Sequence, residues 1–100
     1  MTLKTLPWDS AAYLETDEDM ADYLDVVLEE NDPALVIYAL GVIARARGIS
    51  QLARETGMER ETLYQVLSFE GHPEFATVMK VIKALGLRLR AQITKAAEAA

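Results

Sequence analysis

No cysteine occurs in these 100 residues, which removes disulfide staples, thiolate nucleophiles and sulfur metal ligands together and fits a reducing compartment. There is a single histidine, His72. It precedes a proline in a loop and has no second ligand nearby in sequence, so it reads as a surface turn residue rather than a metal ligand or a base. With one histidine in the chain, Ser10, Ser50 and Ser68 lack an activating partner and read as cap or helix-end residues, not nucleophiles. A phosphate-cradling glycine loop is also missing. Together these gaps argue against an enzyme and imply neither a metal nor a cofactor.

Long apolar runs are absent as well. The longest stretch without a charge, Pro33 to Ala44, falls far short of the ~18 apolar residues that a membrane-spanning helix needs. The opening MTLKTLPWDSAA has no apolar core of the kind a signal peptide carries. The expectation is a cytoplasmic protein with no membrane partner. Basic residues are nearly missing from the first third: Lys4 stands alone against ten acids between Met1 and Asp32, a net of −9. From Pro33 to Ala100, nine basic residues outweigh six acids, a net of +3. The overall −6 thus conceals an acidic arm and a mildly basic body, and the distribution says more about partners than the sum does.

The composition, 51% hydrophobic and 26% charged, is that of a chain able to bury a core, and its length suits one domain with a short appendage. Trp8, Tyr13 and Leu14 are apolar anchors of an ordered lead-in, with a possible single turn started by Asp9 or Ser10. Thr16 and Asp19 have the spacing of a capping box, and Met20, Tyr23, Leu24, Val27 and Leu28 then recur at helical spacing. The opposite face of that helix carries Glu18, Asp22, Asp25 and Glu29, a row of carboxylates turned to water. Asp32-Pro33 starts a second helix, with Asp as cap and Pro at the first helical position. Pro33 to Arg47 is apolar nearly all round, as a central helix would be, and Gly48 ends it. Arg45 and Arg47 close this helix, where cations are favoured by its dipole.

Ser50 is expected to cap a short helix over 51–56, Gly57 to make a tight turn, and a further helix to run from Arg60 to about Ser68. Glu70-Gly71-His72-Pro73 reads as a loop. Val78, Val81, Ile82 and Leu85 mark one face of a last helix, terminated by Gly86. Beyond it Leu87, Leu89, Ala91 and Ile93 alternate with Arg88, Arg90, Gln92 and Thr94, which is the period of a strand. A lone strand cannot satisfy its ladder, so the expectation is antiparallel pairing with a second copy across a two-fold axis.

The segment Ile49 to Leu67 carries the functional signal. Two short helices meeting at a steep angle through a tight turn need a small residue at their contact, a glycine in the turn and apolar residues toward a shared core. Ala53, Gly57 and Leu63 supply these, with Leu52, Met58 and Val66 in support: the helix-turn-helix pattern. In that geometry the second helix enters the major groove. Arg60, Glu61, Thr62, Tyr64 and Gln65 are the side chains free to reach double-stranded DNA, Arg and Gln suiting guanine and adenine, while Ser50 and Gln51 lie where phosphates would pass.

From Trp8 to Ile93 the sequence also closely resembles the addiction-module antidote proteins, lambda-repressor-like helix-turn-helix antitoxins of the HigA kind. The resemblance is carried by Trp8-Asp9, Tyr23-Leu24, Asp32-Pro33, Ala39-Leu40, Ile43-Ala44-Arg45-Ala46-Arg47-Gly48, Leu52-Ala53, Gly57, Arg60-Glu61-Thr62-Leu63-Tyr64, Pro73, Thr77 and Ala84-Leu85-Gly86-Leu87. It implies a homodimer that represses its own operon and binds a small ribonuclease-like toxin of the RelE, ParE or HigB type. It also gives the acidic row Glu18, Asp22, Asp25 and Glu29 a meaning, because a toxin that holds RNA is expected to be basic. One departure stands out: members usually have Ser or Thr at the cap of the reading helix, and this chain has Glu59.

The expected architecture is therefore all-α. Residues 1–32 form an acidic segment and helix, 33–86 a lambda-repressor-like helix-turn-helix domain, and 87–100 a dimerising β-strand and tail. The alternative function is a stand-alone transcriptional regulator whose acidic arm meets no toxin.

Overall fold

The computed structural model describes residues 14–68 and 70–94, and among them five helices: α1 Asp17–Leu28, α2 Pro33–Arg47, α3 Ile49–Thr56, α4 Arg60–Val66 and α5 Phe75–Ala84. The lead-in with Trp8 and Tyr13 lies outside the described residues.

Local side-chain chemistry starts α1 and α2. The Asp19 amide donates to Thr16 Oγ1 at 3.0 Å while the Thr16 amide donates to the Asp19 carboxylate at 3.2 Å, closing the capping box reciprocally. At the next start, Asp32 Oδ1 accepts from the amides of Ala34 at 3.1 Å and Leu35 at 3.4 Å, with Pro33 in the first turn. Between them Asn31 takes a left-handed φ of 55°, which a short polar side chain tolerates. The two helices pack on each other. Met20, Leu24 and Val27 of α1 are buried and Tyr23 and Leu28 half-buried, the stripe that the spacing predicts.

α2 is the centre of the molecule. Ala39 through Ala44 are all buried, and Leu40, Val42 and Ile43 join Leu63 of α4 and Val81 of α5 as the largest fully enclosed side chains. Gly41 is needed here because a Cβ would run into the backbone carbonyl of Leu67, just past α4. Arg47 forms an ion pair with Asp17, tying the end of α2 to the start of α1. Arg45 stands over the Tyr38 ring, 5.9 Å from its centroid. Both arginines have structural work at the helix end.

The start of α3 departs from the expectation. Gly48 is at once the last cap of α2 and the first of α3, and no side chain caps α3. Ser50 is an exposed residue of the first turn, not the cap. The cause is the brevity of the junction: with one residue between helices that diverge by 107°, helical backbone resumes before a serine cap can be used.

α5 buries Val78, Val81 and Ile82 and ends through bonds from the Gly86 amide to Lys83 O at 3.0 Å and from the Leu87 amide to Ile82 O at 3.1 Å. Residues 87–94 then form neither helix nor strand. Leu87 and Leu89 are half-buried against the core while Arg88 and Arg90 face out, so the alternation holds that far. Ala91 and Ile93 are exposed. In a single chain the expected strand is missing for a physical reason: a ladder needs a second strand beside it. No single helix among the described residues is long and apolar enough to cross a membrane.

Candidate nucleic-acid and partner surfaces

α3 and α4 pack on each other across the turn Gly57-Met58-Glu59. Gly57 takes φ 76° and its amide donates to Ala53 O at 2.9 Å, a left-handed cap that a side chain would strain. Thr56 completes the turn. It is buried, its hydroxyl donates to Leu52 O at 2.8 Å, and the Met58 amide donates back to it at 3.3 Å. Sequence reasoning passed over Thr56; a hydroxyl directly before a turn glycine, able to bond backbone on both sides of it, was the available signal.

The apolar side chains of α3, the turn and α4 converge. Leu52 and Leu63 are buried, and Ala53, Met58 and Val66 are half-buried around them. With Leu63 holding α4 from beneath, Arg60, Glu61, Tyr64 and Gln65 are exposed and Thr62 is half-buried. Ser50 and Gln51 are exposed on α3, but Gln51 Nε2 donates to the Glu55 carboxylate at 3.2 Å and is not idle. Glu59 caps α4 by position only, for its side chain makes no cap bond. A shallow depression between the two helices brings Ser50, Arg54 and Arg60 together. Arg54 is the cation that the sequence reading left out, although its place four residues after Ser50 puts the two on one helical face. Arg54 and Arg60 stand here with Glu59 and Glu61, so this surface is not basic on balance.

On the other side, Glu18, Asp22, Asp25 and Glu29 of α1 are all exposed. Residues 87–92 run beside this helix, and Asp22 and Asp25 share a cleft with Arg88 and Arg90. Around the far end of α1 lies an apolar groove of about 700 Å³, walled by Leu24 and Leu28 of α1, Ile37 of α2, Phe75 and Val78 of α5, and Leu89. His72 lies exposed on its edge in the 71–73 loop, as a turn residue would. Among the described residues no group of histidine and carboxylate side chains is placed to hold a metal ion.

A family model described as "probable addiction module antidote protein" matches residues 4–93. The chain belongs to this family. An antidote acts against a toxin, so a toxin partner in general comes with membership of the antidote family. An uncharacterized protein of Haemophilus influenzae is 48% identical over 92 residues, covering 92% of this antidote-family chain and 95% of the relative. No solved structure matches.

Proposed function

We propose that this chain is the antitoxin of a type II toxin–antitoxin module, of the HigA kind, that binds its operator as a dimer and neutralises a small RelE-, ParE- or HigB-like toxin by direct contact. The observation that carries the DNA half is the outward row of α4: Arg60, Glu61, Tyr64 and Gln65 are exposed on a helix whose Leu63 is fully buried, so these side chains are free for base edges while the scaffold fixes their direction. The depression with Ser50, Arg54 and Arg60 suits the adjoining backbone. Family membership supports the toxin half, and the exposed carboxylates Glu18, Asp22, Asp25 and Glu29 give a basic toxin a complementary surface. Leu87, Leu89, Ala91 and Ile93 are read as one edge of a strand completed by a second copy. The protein works in the cytoplasm, without catalytic chemistry, cofactor or metal of its own.

Two measurements test this reading. Co-expressed with the untagged product of the small reading frame beside its gene, the tagged chain should retain that product and rescue growth. If nothing coelutes and growth stays arrested, the protein is a stand-alone regulator. On operator DNA, Arg60→Ala should cost about 1 to 3 kcal/mol at one base position and relax preference there. Unaltered isotherms for Arg60→Ala, Glu61→Ala and Gln65→Ala would remove α4 from the groove.

A further inference from the structure

Resting on the reading of residues 87–94 as a strand completed by a second copy, we infer that Asp22 and Asp25 of α1 are counter-charges of the dimer: they neutralise the face on which strand pairing gathers the Arg88 and Arg90 side chains of both protomers.

The alternation along the segment dictates what pairing must do. Leu87 and Leu89 are half-buried against the core, and Arg88 and Arg90 are exposed on the other face. In an antiparallel pair, residues opposite each other point to the same side, and a slip by one residue would set one chain's arginine face among the other's leucines. The registers that keep both leucine rows on their cores therefore place even-numbered residues opposite even-numbered ones. The two such registers that use most of residues 87–94 are centred on Arg90 and on Ala91. The first sets Arg90 directly against its counterpart, and the second makes the two Arg90 side chains diagonal neighbours. Either way two arginines per chain become four on one surface of a two-stranded ribbon, and like charges so placed destabilise the pair.

The opposite charge lies beside that face. Asp22 and Asp25 line a cleft of about 380 Å³ together with Arg88 and Arg90. All four side chains are exposed, and among the described residues none of them is in an ion pair within the single chain. Asp22 and Asp25 stand three apart on α1, a like-charged pair that nearby cations relieve. The cleft thus carries both signs in equal number, and a second copy doubles it to four carboxylates and four guanidiniums around the axis. Exposed charges contribute little as isolated pairs and more as a network of this kind. The middle of the acidic row on α1 thereby has a duty at the dimer besides the one toward a toxin.

The test is the dimer dissociation constant of the full chain by sedimentation equilibrium, at low salt so that surface charges are not screened. Asp22→Asn/Asp25→Asn should weaken association about tenfold, the four lost charges acting together. Glu15→Gln/Glu30→Gln, which removes the same charge from exposed positions outside the cleft, should leave it unchanged. Adding Arg88→Gln/Arg90→Gln to the aspartate variant should restore association to near the wild-type value, because the repulsion goes with its counter-charge; a merely structural role of the aspartates gives no such rescue. Matching thermal melts establish that the variants fold. Equal association of wild type and Asp22→Asn/Asp25→Asn, an equal loss in the glutamate control, or no rescue by the arginine substitutions each overturns the inference and leaves the strand pairing standing. A wild type that remains monomeric overturns both.

Discussion

Glu59 shows how one side chain can serve two opposed demands. As N-cap of α4 it makes no bond to the first-turn amides, so it forgoes the ~1 kcal/mol that a serine or threonine supplies there. Its charge returns part of this, about 0.3 to 1 kcal/mol, by facing the positive end of the helix. The two terms nearly cancel for folding, but they add for DNA, because a carboxylate at this point repels the phosphate that the proposed docking would bring near. Glu59→Ser should therefore shift unfolding by less than about 1 kcal/mol yet raise operator affinity roughly fivefold, as about 1 kcal/mol of relieved repulsion would. Equal operator affinity in a side-by-side titration would mean that the carboxylate points away from the backbone. Thr56 poses the complementary case, a residue with no place in the proposed DNA contacts that sets the turn from which α4 departs.

Among the helices, Gly41 is the point at which α2 and α4 depend on each other. Alanine in a helix interior is favoured over glycine by about 1 kcal/mol, yet here the added Cβ meets the rigid backbone carbonyl of Leu67. Forcing a methyl group into so tight a contact costs about 3 kcal/mol, the upper part of the usual overpacking range. The steric term wins, and Gly41→Ala should lose about 2 kcal/mol, a fall in Tm of about 10 °C for a domain of this size. A melt at or above the wild-type temperature would mean that α4 slides away freely. This dependence was hidden in the sequence, as was the groove, because both join segments far apart in the chain: 41 with 67, and 24–37 with 75–89. What was legible was local. Thr16 with Asp19 and Asp32 with Pro33 announced two helix starts through side chains that bond their own neighbours, and Leu52, Gly57 and Leu63 announced the α3–α4 pair. Ser50 misled for the same reason, as a cap signal whose neighbouring helix left it no room.

At the scale of the whole molecule, the charge distribution and the dimer make one joint prediction. Each protomer offers the proposed DNA surface two cations, Arg54 and Arg60, set beside two glutamates, Glu59 and Glu61. With both cations drawn against the duplex, operator binding by a dimer would release about four counterions, giving a log–log salt slope of about −4, shallow for a repressor. Leu89 lies in the segment whose alternation is visible in burial as far as Arg90, and proline there removes an amide that the inter-subunit ladder would need. Leu89→Pro should sediment as a monomer and bind a half-site with a slope of about −2. The halving is the informative quantity. A variant that sediments as a dimer with an undiminished slope refutes pairing through residues 87–94, whereas a monomer that keeps the full slope requires cations beyond these two at the duplex.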